Sequence, residues 1–309
     1  MTVKTWPVAG APVSFGVDEI MVDDAWMPGP VEVLDWLVDI GHEGTELGPP
    51  GYLGNADELH ERLSARGLAL VGAFLPQRFS RDEKTAEDQA WLCDTLALIR
   101  AGAPEGSRPF AILSDGFGEP ERVAFSGRIQ EHPEAWLPAA RFETLVANLH
   151  RAAELCRNAG FEVLLHPHAG TYIETAEEIA RVAERIDPSL LGLVLDTGHY
   201  RYGGADPVRA VTDYRGLIRH VHVKDCAMRI IDEAAGAGEG LKEILSRGVF
   251  PPLGEGDVDL PGVLEALRGI GYEGWLVIEQ DQSLGPTDTR ASLVAGQRRN
   301  RQCLRDLGV

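Results

Sequence analysis

Eight short apolar segments alternate with longer amphipathic ones along this chain, and few architectures accept that rhythm. The strand candidates are Val8–Phe15, Gly44–Leu47, Leu68–Leu75, Phe110–Ser114, Glu162–His166, Leu191–Leu195, His220–Val223 and Trp275–Ile278. Most are continuous β-branched or Leu-rich runs, the pattern of parallel strands buried on both faces. The helix candidates between them are Pro30–Ile40, Ala56–Arg66, Lys84–Ala101, Ala139–Asn158, Ala176–Ile186, Asp206–Tyr214, Asp232–Ser246 and Leu260–Ile270, with Thr287–Leu307 as a final helix. In the fourth of these, Leu145, Val146, Leu149, Ala152, Ala153 and Cys156 recur at helical spacing and form one core face.

Eight strand–helix repeats predict an α/β fold of the (β/α)8 TIM barrel type. The 309 residues suit one such domain across 1–309. The competing doubly wound open sheet would carry a GxGxxG after its first strand. The Gly-rich run Gly236–Gly240 lacks that spacing and follows no strand, so it reads as a flexible loop. Gly116–Pro138 mixes charge, Gly and Pro and reads as an insertion after the fourth strand, on the rim that carries barrel active sites.

Composition excludes several function classes. Lys and Arg number 29 against 48 Asp and Glu, a net charge of −19. No cationic excess exists to neutralise nucleic-acid phosphates or to meet an anionic membrane. Cys93, Cys156, Cys226 and Cys303 form no CxxC pair, which argues against a zinc knuckle and fits a reducing cytoplasm. The first residues offer no signal-peptide run, and no apolar stretch approaches the ~18 residues of a membrane span. A soluble, cytoplasmic protein is the expectation.

Polar residues gather where a barrel keeps its chemistry, at the C-terminal strand ends. The fifth strand ends His166-Pro167-His168, and the sixth ends Asp196-Thr197-Gly198-His199. The seventh reads His220-Val221-His222-Val223-Lys224-Asp225, and the eighth ends Glu279-Gln280-Asp281. A lone histidine at such a place needs only a hydrogen bond; four successive ends bearing His, Asp, His and Glu suggest one divalent metal. Mixed imidazole and carboxylate donors suit Mn²⁺, Co²⁺, Zn²⁺ or Fe²⁺ better than Ca²⁺. His220, His222 and Lys224 share a face by strand alternation, with His222 nearer the mouth and the better ligand candidate. Lys224 reads either as a solvated rim lysine or as a substrate contact. Glu46, ending the second strand, reads either as a hydroxyl-binding or proton-shuttling group or as a structural carboxylate. Trp275, at a strand start, reads as core.

These motifs resemble the xylose-isomerase-like barrel superfamily of sugar isomerases and epimerases, and within it the inosose (2-keto-myo-inositol) dehydratase branch. The resemblance covers nearly the whole chain. It runs through Ala11–Gly16, Gly44-Thr45-Glu46-Leu47-Gly48, His166–Thr171, Leu195–His199, His220–Asp225, Pro252–Gly256 and Gly274–Gln280. It implies Asp196, His222 and Glu279 as metal ligands. Most of the superfamily has a ligand Glu followed by Asn-His on the fifth strand, where this chain has His166-Pro167-His168; the dehydratase branch also carries His there. His166 is then the fourth ligand, with His168 its nearest rival. The implied cation is Mn²⁺ or Co²⁺ first, with Zn²⁺, Fe²⁺ and Mg²⁺ open.

The implied reaction is β-elimination of water from a small neutral sugar- or inositol-derived ketone through a metal-stabilised enolate. His199, His168, Lys224 and Glu46 are the acid/base candidates, His199 foremost. An inosose isomerase, a ketose 3-epimerase and a lyase acting on a 3-keto-glycoside need the same site, and a non-catalytic sugar-binding subunit is the alternative of another class. A barrel endonuclease would need more metal ligands and a basic groove. Leu293, Val294 and Leu304 of the last helix could supply a homo-oligomer interface.

Overall fold

In the computed structural model of the chain, which describes residues 6–17, 27–81, 86–117, 119–282, 284–285 and 288–309, eight parallel strands close into one barrel in chain order. The elements are β1 (Val8–Gly10), α1 (Pro30–Ile40), β2 (Gly44–Glu46), α2 (Ala56–Ser64), β3 (Ala69–Gln77), α3 (Ala86–Gly102), β4 (Phe110–Asp115), α4 (Pro120–Phe125), α5 (Ala139–Asn158), β5 (Val163–Leu165) and α6 (Ala176–Ala183). They continue with β6 (Gly192–Asp196), α7 (Thr197–Tyr202), α8 (Pro207–Asp213), β7 (Ile218–Val223), α9 (Met228–Ala237), α10 (Leu241–Ser246), α11 (Leu260–Gly269), β8 (Leu276–Ile278) and α12 (Arg290–Asp306). β1 pairs with β2 on one side and with β8 on the other, Val8 opposite Leu276 and Gly10 opposite Ile278. The sheet therefore has no open edge, and the fold is a (β/α)8 TIM barrel.

Local chemistry explains where elements begin and end. Pro30 opens α1, where its missing N–H costs nothing, and Gly41 closes it at φ 92. Capping boxes open α2 at Asn55/Glu58 and α6 at Thr175/Glu178. The first strand is shorter than the apolar run suggests. Pro12 has no N–H for a ladder, and Pro12–Phe15 forms a 3₁₀ turn instead. Asp232–Ser246 is two helices rather than one, parted where Gly238 turns to φ 70 and ends α9. Gly236 and Ala237 thus lie inside a helix, not in a flexible loop. Lys84 and Thr287, where two helices were expected to start, lie outside the described residues.

Strand alternation sorts the side chains into two cores. Val8, Leu193, Leu195, Val221, Val223, Leu276 and Ile278 pack outward against the helices. Ala9, Val71 and Val277, with Trp275 against them, fill one part of the barrel interior; Ile112, Leu164 and Val194 fill another. Leu293 and Leu304 of α12 are buried in the chain's own outer core, whereas Val294 beside them is half-buried. Among the described residues no helix is long and apolar enough to cross a membrane.

The insertion after β4 is built, not loose. It contains α4 and the turns Ile129–Glu131 and Pro133–Ala135. Arg122 of α4 is fully buried and forms two 2.9 Å bonds to the Glu178 carboxylate of α6. Glu174 accepts from Ser126 Oγ (2.7 Å), Gly127 N (2.8 Å) and Gly170 N, joining the insertion to the loop that follows β5. Phe117 then stands edge-on to the His168 ring, 4.9 Å between centroids.

Candidate metal centre

Register brings the polar strand ends together. Asp196 is the direct ladder partner of His222, and His222 that of Val277, two residues before Glu279. His166 follows β5 and its N–H bonds to Leu113 O, which carries it up to the same level. One donor atom from each of His166, Asp196, His222 and Glu279 lies within 4.8 Å of all the others, and all four residues are buried. His222 Nδ1 stands 3.1 Å from His166 Nε2, 3.0 Å from Glu279 Oε2 and 3.6 Å from Asp196 Oδ2. His166 Nε2 lies 3.5 Å from Asp196 Oδ2. Donors bound at about 2.1 Å to one cation are separated by about 3.0 Å at an octahedral edge and about 3.4 Å at a tetrahedral one. The observed spacings match those edges. Asp196 Oδ2 is buried and makes no well-formed hydrogen bond, although Lys224 Nζ is 3.1 Å away. The residues present therefore fit a divalent ion in spacing and donor type.

Beneath this set, Glu46 Oε1 accepts from His222 Nε2 and from His220 Nε2, both at 2.9 Å. The contact lies on the far side of the His222 ring from the donor cluster. It fixes which ring nitrogen faces that cluster, as outer carboxylates do for metal-binding histidines. A bulge between Thr45 and Glu46 pairs Glu46 with Gly72, where a Cβ would stand 3.0 Å from Glu46 Oε1 and 2.7 Å from Ile112 Cδ1. Gly72 is thus the space into which the Glu46 carboxylate fits. Burial opposes charge at His222, but the Glu279 and Glu46 carboxylates hold its imidazole protonated well above the ordinary range. Burial likewise raises Glu46, and His222 and His220 overcome it to hold the carboxylate well below its usual range.

A second polar group adjoins the first. Lys224, expected either at the solvated rim or against substrate, is 1% exposed and reaches Asp281 Oδ1 at 2.8 Å, Glu279 Oε2 at 3.2 Å and His199 Nε2 at 3.0 Å. Gly198 makes room for it, since a Cβ there would meet Lys224 Cγ at 2.5 Å. His199 also faces Asp281 Oδ2 at 3.5 Å and packs against His168, 3.7 Å between ring centroids. His168 Nδ1 bonds Ala169 O at 3.0 Å, so this residue lies beside the four-donor set rather than in it. Burial, His168 and Lys224 push the His199 imidazole well below its ordinary range. Burial lowers Lys224, but Asp196, Asp281 and Glu279 more than restore its charge. Phe250 flanks His199 and Lys224 at 5.0 and 5.2 Å.

The short helix α7 was not foreseen. Asp196 Oδ1 caps it by accepting His199 N at 2.8 Å, so one carboxylate both starts the helix and offers Oδ2 to the cluster. Asp281 was not singled out either. It stands two residues after Glu279, just past β8, and both carboxylates reach Lys224 Nζ.

Residues 34–306 match the family model described as xylose isomerase-like TIM barrel. The chain belongs to the xylose isomerase-like TIM barrel family. Within that family it is 31% identical over 289 residues to a protein of Geobacillus kaustophilus (strain HTA426) named inosose dehydratase, covering 91% of this chain and 89% of that protein. Among solved structures of this barrel type it is similar to the probable 3-DHS dehydratase AsbF from Bacillus anthracis, with TM-score 0.67, 16% identity and coverage of 97% and 98%. It is also similar to the IolI protein with a bound zinc atom, with TM-score 0.69, 15% identity and coverage of 97% of each chain. At those identities the two solved structures speak for the fold alone.

Proposed function

We propose that the chain, acting as one domain across residues 1–309, is a metal-dependent hydro-lyase that removes water from a cyclic polyol ketone of the inosose type. The observation that carries this reading is the juxtaposition of the four-donor cluster with the His199–Lys224–Asp281 group, in a chain whose curated relatives are named inosose dehydratase. A divalent cation held by His166 Nε2, Asp196 Oδ2, His222 Nδ1 and Glu279 Oε2, Mn²⁺ or Co²⁺ in this reading, supplies Lewis-acid polarisation of the ketone when bound.

The chain's own residues do the rest. The α C–H bond gives its proton to a base, its electron pair forms the C=C bond, and the β C–O bond breaks to release hydroxide, which an acid protonates to water. His199 Nε2 is the base candidate by position, next to the donor cluster, with burial and the Lys224 ammonium keeping its ring unprotonated. The Lys224 ammonium is the proton donor candidate, oriented by Asp281. His168 walls the same space with Phe117 and is the reserve for either role. Glu46 is read as the group that holds His222, not as a hydroxyl contact, because both its histidine partners lie within the barrel. In this reading the substrate is a small neutral ketone, neither nucleic acid nor membrane is a partner, and the protein works in the cytoplasm.

The test is incubation of metal-loaded protein with 2-keto-myo-inositol in D₂O, followed by NMR. Loss of the β-hydroxyl with formation of an unsaturated ketone is expected. Solvent deuterium at the α-carbon without water loss would reassign the site to an isomerase or epimerase. No reaction with this ketone or with a 3-keto-glycoside would leave a sugar-binding protein.

A further inference from the structure

The inward face of α12 carries Leu293, Gln297, Asn300 and Leu304 at helical spacing, and all four are buried. Two amides therefore stand where a barrel-covering helix ordinarily presents apolar side chains. Burying an amide costs free energy unless its donors and acceptors are met. Here they are met by the strand end that carries the site. Gln280 Oε1 accepts from Asn300 Nδ2 at 3.0 Å and from Gln297 Nε2 at 3.1 Å. Gln297 Nε2 also donates to Ser14 O, and Asn300 Nδ2 to Gln297 Oε1, both at 3.2 Å. Ser14 Oγ in turn accepts Gln280 N at 3.0 Å.

Gln280 lies between Glu279 and Asp281. Its side chain turns out to α12 while Glu279 and Asp281 both reach Lys224, so anchoring the outer amide limits rotation of the inner pair. The network extends further. Asn300 Oδ1 accepts Leu253 N at 2.9 Å, and the adjoining loop gives Gly254 N and Gly256 N to Asp225 Oδ2 at 2.8 and 3.0 Å. Asp225 directly follows Lys224. One buried polar network thus reaches the residues that bear Glu279, Asp281 and Lys224.

We propose that Gln297 and Asn300 are positioning residues: from the last helix they hold Gln280, and through it they aim Glu279 at the donor cluster and Asp281 at Lys224. The inference rests on the metal-centre reading for Glu279, but its geometric content does not require a bound ion.

The variants are Gln297→Met, which removes the amide without adding charge, and Asn300→Leu. The control is Leu293→Ala, which loosens the same helix without touching the network. Mn²⁺ dissociation constants are measured by chelator competition well below each Tm, and crystal structures are compared with wild type. The proposal expects Gln297→Met to weaken Mn²⁺ binding about tenfold, the lower end for outer partners of metal ligands. It also expects the 3.0 Å Glu279–His222 and 2.8 Å Asp281–Lys224 contacts to lengthen. Leu293→Ala should lower Tm while leaving affinity and both contacts unchanged. If Asn300→Leu does not fold, Gln297→Met decides. Affinity within twofold of wild type together with unmoved carboxylates overturns the proposal. If wild type binds no divalent ion, the metal-centre reading falls, and displacement of Glu279 and Asp281 in the variant crystals alone decides the positioning role.

Discussion

Glu46 and His222 are 176 residues apart in the chain and 2.9 Å apart in the barrel. The bond crosses the barrel interior from β2 to β7, and it turns His222 Nδ1 toward the donors of β5, β6 and β8. Two histidines lean on the one carboxylate oxygen, so its charge rather than its shape is what they share. Glu46→Gln keeps the volume and an acceptor oxygen but loses the charge. Metal affinity should fall about 10–100-fold, as for other outer carboxylate partners of ligating histidines. Chelator competition checks it, and an unchanged dissociation constant would reduce Glu46 to a filler of the barrel.

Asp196 and His199 separate metal holding from chemistry. Asp196→Asn keeps an oxygen for the His199 N–H, so α7 stays capped, while the amide is a poor ligand in place of Oδ2. Metal content and turnover should both vanish with the fold intact by circular dichroism. His199→Ala should retain the metal and lower kcat about 10²–10⁴-fold, the range for a lost acid or base. Metal analysis beside steady-state kinetics measures both, and full turnover in His199→Ala would pass the role to His168 or Lys224.

His42 gives stability a pH dependence outside the site. It is 6% exposed, its Nδ1 has no hydrogen-bond partner, and burial together with Arg301 and Arg305 pushes its pKa from 6.5 to about 3. The unfolded chain takes up this proton below about pH 6.5 and the folded chain does not until about pH 3. Stability is therefore full above pH 6.5 and falls with acid across that window, by about 1.4 kcal/mol per pH unit at the steepest. Urea midpoints of wild type and His42→Gln should converge as pH drops from 7 to 4. Parallel curves would show that other groups govern acid unfolding.

Arg122 and Glu178 form the buried pair that pins the insertion. Arg122→Met leaves the Glu178 carboxylate, 8% exposed, without its cation. Removing one partner of such a pair costs about 3–5 kcal/mol. Denaturant unfolding should show that loss, and limited proteolysis should cut within residues 116–138 faster than in wild type. A loss below 1 kcal/mol would mean that the Glu178 backbone contacts suffice.

Much of this protein is already legible in its sequence, and for a definite reason. Continuous apolar strands, amphipathic helices and terminal glycines such as Gly41 act through neighbours a few residues away, so they report the eightfold repeat directly. Period-two alternation likewise makes His220, His222 and Lys224 co-facial, and the strand-end rule groups His166, Asp196, His222 and Glu279. What depends on closure across the barrel was not legible. Lys224 became a buried ammonium only because three carboxylates from β6 and the end of β8 surround it. Glu46 turned toward His220 and His222 because the bulge at Thr45 and the missing Cβ of Gly72 let it in. Gln297 and Asn300 meet Gln280 only because packing sets the last helix against the end of β8. Local pattern determines elements and faces; distances between side chains more than a hundred residues apart are decided by register, bulges and close packing, which exist only once the barrel has closed.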